Sequence, residues 1–324
     1  MKKNILSKLG RFSSIILIVA CSAGDPIETP PEVISNDTLS ILGDPFFEKG
    51  LVMKRTDGST SNVIHPFGAH SGASPIWGMA EWGTQFLLTE EDRVEDTQSV
   101  TYANAGKLIS FKKAPHAGHI VMEATTSAEY ERPRREGEYW PHLLIEQSFP
   151  DQPFVKDLKG LILRFKGRLT KAEMMMSQQD YNPGLHAAQF QLFITVQNMN
   201  PHSAYYGDFL WFGIPFYDNR NEQIPVYAAK DIGKDDASGK FIYSAGTTDF
   251  MTGTFHSGNE VIIEKDIYPL IDNALKIARQ RGYLTGSFDS DFRITGMNLG
   301  WELPGTFDVG FEINDFDLSK VIQK

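Results

Sequence analysis

The run from Ser203 to Arg220, SAYYGDFLWFGIPFYDNR, constrains the fold more tightly than any other stretch of the chain. Read with the two-residue period of a strand, Leu210, Phe212, Ile214 and Phe216 fall on one side, and Tyr205, Phe209, Trp211 and Tyr217 on the other. The first set can pave a core. The second is a row of rings broken by Gly207 and Gly213, with Asp208, Asp218 and Arg220 close in sequence. A strand that is apolar on both sides is either covered twice or meets a ligand on its second face.

Similar strand patterns recur along the chain, separated by Gly, Pro and Asp/Asn clusters. They are expected at Leu51–Arg55, Phe86–Thr89, Ser99–Lys112, His119–Thr125, Trp140–Phe149 and Leu158–Leu169. Further on they come at His186–Gln197, Phe209–Tyr217, Lys240–Tyr243, Glu260–Glu264, Phe292–Glu302 and Phe307–Leu318. The 22 Phe, 11 Tyr and 28 Gly of the 324 residues suit such a strand-and-turn design. Strands in this number imply packed sheets. One helix is expected over Asp266–Gly282, where Ile267, Leu270, Ile271, Ala274, Leu275 and Ala278 keep helical spacing. Asp266 suits its N-cap, Pro269 its first turn, Arg279 and Arg281 its C-terminal dipole, and Gly282 its stop. From Pro45 onward there is no linker-like break or repeat. The expected fold is therefore all-β: one large jelly-roll-like β-sandwich over residues 45–324, with one amphipathic helix packed outside.

Alternation within the strands singles out candidate working faces. On Leu158–Leu169, Arg164, Lys166 and Arg168 oppose Leu161, Leu163, Phe165 and Leu169. On His186–Gln197, Gln189, Gln191, Thr195 and Gln197 oppose Ala188, Phe190, Leu192, Ile194 and Val196. On Trp140–Phe149, Trp140, His142, Leu144 and Glu146 share a side. A solvated sheet face has the same pattern, but amides, Arg, His, Glu and rings together also suit sugar hydroxyls and the C–H faces of sugar rings. The expected ligand is a polysaccharide or oligosaccharide, held by Trp140, Arg164, Lys166, Arg168, Gln189, Gln191, Tyr205 and Trp211. Tyr139, Tyr217, Trp77 and Trp82 extend the set of candidate rings; for a Trp in a large β domain, core filling is the competing role.

Glycoside hydrolysis usually needs two carboxylates about 5–9.5 Å apart. His142 and Glu146 are the expected catalytic pair if the chain is an enzyme, with Asp208, Glu302, Asp308 and Glu312 as further acids. A lyase acting on uronates would need cationic or amide groups around the sugar carboxylate, which Arg164, Lys166, Arg168, Gln189 and Gln191 can offer, with His142 or Tyr205 as base. A structural or adhesive role competes with both. No cofactor is expected. His116 and His119 sit in a Pro/Gly-flanked turn unlike a zinc-binding helix turn. The acidic turns at Asp218–Asn221 and Asp289–Asp291 offer oxygen ligands for a structural Ca²⁺, although turns favour Asp and Asn for backbone reasons alone. Neither a Walker-type phosphate loop nor a Gly-x-Ser-x-Gly elbow is present.

The closing run from Gly296 to Leu318 reads as a hairpin around Pro304-Gly305 and resembles the last strands of jelly-roll modules in polysaccharide-handling proteins. That resemblance implies a fold and no site. Two related motifs are absent: the Glu-x-Asp-x-x-Glu strand of sandwich endoglucanases and the Gln-[Ile/Val]-His triplet of sandwich alginate lyases. Glu312, Asp315 and Asp317 have a different spacing.

The N-terminus supplies an address. Met1 to Arg11 is basic, Phe12 to Ala20 is a short apolar run, and together they read as a secretory signal over residues 1–21. Ile18-Val19-Ala20-Cys21 resembles the lipobox of bacterial lipoproteins, and Cys21 is the single cysteine of the chain. The resemblance implies lipidation of Cys21 and a lipid anchor in the cell envelope, at the outer membrane. Residues 22–44, rich in Pro and acids, then read as a flexible tether. A formal charge of −10 argues against nucleic-acid partners, which draw on neutralising Lys and Arg.

Overall fold

Alternating strands bury their apolar side by laying two antiparallel-rich sheets face to face. The computed structural model describes residues 37–68, 74–232 and 237–322. The signal segment, Cys21 and most of the tether lie outside the described residues. Strands are labelled in chain order. The eight-stranded sheet runs β15 (Val261–Asp266), β10 (Leu161–Met174), β17 (Phe307–Val321), β8 (Ile120–Thr125), β7 (Lys107–Lys112), β6 (Ser99–Ala103) and β5 (Arg93–Glu95), with β1 (Thr38–Ser40) on β17. The nine-stranded sheet runs β13 (Tyr227–Lys230), β14 (Phe241–Ser244), β12 (Phe209–Asp218), β11 (Gln189–Asn198), β16 (Phe292–Glu302), β9 (His142–Ser148), β4 (Trp77–Ala80), β2 (Leu51–Lys54) and β3 (Thr60–Ile64). Its β12–β14 and β2–β4 pairings are parallel.

Stacked rings join the layers. Phe165 of β10 lies on Phe216 of β12, and Phe311 of β17 on Phe190 of β11, each pair with ring centroids 4.0 Å apart. Trp301 of β16 is fully buried, and its Nε1 donates to the Met122 carbonyl of β8 at 3.1 Å. This last bond ties the backbone of one sheet to the core of the other and satisfies a polar group that would be costly to bury alone.

The helix expected over Asp266–Gly282 is α2 (Tyr268–Gln280); a single turn, α1 (Thr126–Glu129), precedes it in the chain. Ile271, Ala274, Leu275 and Ala278 are its buried stripe. It packs on β12 and β14, where Asn273 Nδ2 donates to the Tyr243 hydroxyl at 3.1 Å. Asp266 Oδ1 accepts from the backbone N–H groups of Tyr268 and Leu161, both at 3.0 Å. One carboxylate thus serves the helix start and a neighbouring strand. Gly282 takes φ +85° just past the helix end, a conformation that favours glycine.

The tether boundary moves. Residues 37–44 belong to the folded unit: Thr38–Ser40 pairs with Ser319–Val321, and Ile41 is buried in the core. Hydrogen bonding to a strand far along the chain, invisible to local composition, fixes this segment. The strand expected at Phe86–Thr89 is a loop. Its Leu88 is buried and donates its N–H to the Glu81 carboxylate at 3.0 Å.

Glu81 forms a buried ion pair with Lys107, Nζ to Oε1 3.4 Å. Burial raises the Glu81 carboxyl and lowers the Lys107 ammonium, each against the pull of its partner. Removing one partner leaves the other charge stranded, whereas removing both does not. Lys107→Met is therefore expected to cost about 3–5 kcal/mol in urea unfolding, and Lys107→Met with Glu81→Gln distinctly less. Phe165→Ala is expected to cost about 3–5 kcal/mol in the same measurement, through loss of its ring and the cavity left between the sheets.

Candidate functional site

The face of the nine-stranded sheet turned away from the core carries rows of side chains in register across four strands. One row is His142, Glu302, Gln189 and Asp218; the next is Leu144, Gly300, Gln191 and Pro215. Then come Glu146, Asn298, Phe193 and Gly213, and last Ser148, Gly296, Thr195 and Trp211. Above these rows lie three hollows of about 430, 350 and 560 Å³. The first and second share Trp211 and Asn298, and the second and third share Phe193, Ile242 and Glu302. They form one groove running across the strands.

Rings stand along it. Trp82 and Trp140 flank His142 with centroids 5.4 and 5.7 Å from the imidazole, and the Arg134 guanidinium lies 4.6 Å from the Trp140 ring centre. Trp211 packs edge-on against Phe209 at 5.0 Å and donates from Nε1 to the Ser238 hydroxyl at 3.2 Å. Two glycines keep the floor open. A Cβ on Gly300 would sit 2.2 Å from the Leu143 carbonyl, and φ there is +149°. A Cβ on Gly78 would meet the Glu146 side chain at 3.0 Å.

Charges on the floor come in pairs. Glu146 binds Lys54. Asp218 takes a bidentate grip from Arg220, with Nε at 2.8 Å and Nη2 at 2.6 Å, and also accepts from Gln189 Nε2 at 2.9 Å. That carboxylate raises the Arg220 guanidinium above its ordinary value. His142 Nε2 faces Glu302 Oε2 at 3.9 Å. Its Nδ1 lies 3.0 Å from the Trp140 carbonyl, and because a carbonyl only accepts, that nitrogen donates.

Of the residues singled out from sequence, Trp140, His142, Glu146, Gln189, Gln191 and Trp211 line this one groove, together with Trp82. The others lie elsewhere. Arg164, Lys166 and Arg168 belong to β10 of the other sheet, where they pair with Glu264, Glu260 and Glu312 as an exposed ionic ladder. Their strand alternates as expected, but its polar side faces away from the groove. Tyr205 sits in the loop before β12 with its ring against Gly286. Trp77 and Tyr217 are core residues. A bulge in β12 turns Tyr217 inward against Trp301, and burial lifts its phenol to about 12. Lys54, Phe193, Asn298 and Asp231 complete the lining. The alternation of β16 contains the signal for Asn298, two and four residues from Gly300 and Glu302. Lys54 arrives through the parallel β2–β4 pairing, which leaves no trace in local sequence.

Among the described residues no cluster of three or more His, Cys, Asp or Glu could hold a metal ion. The acidic turns expected as Ca²⁺ ligands use their carboxylates internally: Asp218 as above, Asp289 on Arg279 at 2.6 Å, and Asp291 on Asn200 and the Phe288 N–H. His116 and His119 stand with rings 5.2 Å apart, and burial lowers the His119 imidazole.

No protein-family model and no curated protein matches the chain. Solved structures similar to it include a thermostable cellulase derived from that of Rhodothermus marinus, at 15% identity and TM-score 0.41, covering 75% of this chain and 99% of that one. A family 12 xyloglucanase from Bacillus licheniformis is similar at 10% identity and TM-score 0.43, covering 72% and 98%. A family 12 endoglucanase from Trichoderma harzianum is similar at 11% identity and TM-score 0.39, covering 78% and 100%. The structural neighbours are thus glycoside hydrolases built as β-sandwiches.

Proposed function

We propose that this chain is an exported, lipid-anchored protein that binds an extended, uncharged polysaccharide along the groove. The observation that carries the reading is the placing of Trp82, Trp140 and Trp211 beside one amide- and carboxylate-lined floor, on the face away from the core. Flat rings offer surfaces to the C–H faces of sugars, while Gln189, Gln191 and Asn298 can both donate to and accept from hydroxyls. The charge pattern favours an uncharged chain. Lys54 and Arg220 are each engaged by a carboxylate, and Glu302 and Asp231 add further negative charge. A uronate polymer would bring its own carboxylates into this field and be repelled. Lyase chemistry therefore loses the cations it needs.

A second reading is hydrolysis of the same polysaccharide. It is favoured by Glu146 and Glu302, whose side chains keep only 19% and 23% of their exposure on the groove floor. Against it stands their spacing. They are on adjacent strands, four register steps apart, which puts their Cα atoms roughly 14 Å from each other. Binding is the better-supported reading.

Affinity electrophoresis of the chain from Ser22 onward, through gels containing neutral glucans, xylan or galactomannan, tests the binding reading. Retardation is expected in at least one neutral gel and none in alginate or polygalacturonate. Trp211→Ala and Trp140→Ala are each expected to weaken binding about tenfold, equivalent to about 1.4 kcal/mol. Lys166→Ala, on the opposite sheet, should leave affinity unchanged. Equal loss from all three would place the ligand somewhere other than the groove. The anchor has its own test. Cys21→Ser should move the protein from the membrane fraction to the soluble fraction and abolish incorporation of labelled fatty acid.

A further inference from the structure

We infer that Gln191 is what keeps this groove a holding site: it stands where a second carboxylate would complete a hydrolytic pair with Glu302. The inference rests on the polysaccharide reading and goes beyond it to the reaction the groove withholds.

Glu302 projects into the hollow it shares with Gln189 and Gln191. Its direct partners on the flanking strands are Gln189 and His142. Gln191 pairs with Gly300, two residues before Glu302, so Gln191 and Glu302 are diagonal neighbours on one face. Diagonal neighbours sit about 7–8 Å apart at the backbone, within reach of long side chains. Two glutamates so placed can bring their heads to the about 5–5.5 Å of a retaining glycosidase pair. Gly300 lies directly between them on the floor. It carries no side chain, and the nearby Leu143 carbonyl leaves no room for one, so space remains for a sugar ring.

No other acid near the groove floor meets the requirement. Glu146 is four register steps away and bound to Lys54. Asp218 is gripped by Arg220 and Gln189. Asp231 accepts from the Ser238 backbone at 2.8 Å and from its hydroxyl. An amide neither takes up a proton near neutral pH nor makes a competent glycosyl ester, yet it bonds hydroxyls in both directions. Gln191, only 7% exposed at the foot of the hollow, suits retention of a sugar and not its cleavage.

With a carboxylate at position 191 the chemistry balances. Its oxygen bonds to the anomeric carbon while the bond from that carbon to the glycosidic oxygen breaks, and Glu302 gives its proton to the departing oxygen. Water then displaces the ester, passing its own proton back to Glu302.

The test uses the full-length chain in detergent with hydroxyethyl cellulose, xylan and galactomannan as probes, reading retardation in gels and release of reducing ends. Wild type is expected to bind at least one probe and release nothing above the blank. Gln191→Glu should bind the same probe and release reducing ends about tenfold or more above wild type. Gln191→Glu with Glu302→Gln should return to the blank. Release by the wild type overturns the inference without any variant. So does a Gln191→Glu protein that keeps its melting temperature and its binding but stays silent. If wild type binds no probe, the polysaccharide reading falls and takes this inference with it.

Discussion

Ring stacking between the sheets is the constraint on which the working face depends. Phe190 on Phe311 and Phe165 on Phe216, at 4.0 Å each, hold particular residues of β11, β10, β17 and β12 against the opposite layer. Side chains on a strand alternate, so this choice decides everything on the far face. With Phe190 and Leu192 inside, Gln189 and Gln191 must face out. With Trp301 tied to the Met122 carbonyl, Glu302 and Gly300 face out beside them. Leu143 and Ile145 do the same for His142 and Glu146. The groove is a by-product of core packing, held rigid by a layer that never touches a ligand.

Its chemistry follows from how those outward residues neutralise one another. Lys54 with Glu146 and Arg220 with Asp218 remove the fields that would select a charged ligand, leaving amides and rings to do the recognition. Such a surface binds through many modest contacts. Adjoining hollows aligned across the strands suit a ligand that is long and repetitive more than one that is small and compact.

Much of this was readable before the fold was known. The strand His186–Gln197 separates its amides from its core residues by alternation alone, and Trp140–Phe149 puts His142 and Glu146 on one side by the same rule. Two kinds of information were missing. Alternation says that Arg164, Lys166 and Arg168 share a face, but not that their sheet turns that face away from the groove; layer assignment comes from long-range pairing. Tyr217 failed for a different reason. It follows the odd-numbered ring pattern of Phe209 and Trp211 until the bulge in β12 shifts the phase by one residue. Thr38–Ser40 escaped notice because three residues carry too little periodicity, and its ladder to Ser319–Val321 spans nearly the whole domain.

The same bulge makes β12 sensitive to length as well as to composition. Phe190 faces Tyr217 and Gln191 faces Pro215, so Phe216 is the extra residue that lets two consecutive rings point inward. Deleting it would restore an even ladder and rotate every later side chain of the strand by half a turn. Tyr217 or the Asp218–Arg220 clasp would then swap sides, driving an ion pair towards oil. Loops around this sandwich can lengthen or shrink as lineages diverge, whereas here a single codon lost would turn the molecule inside out at one end.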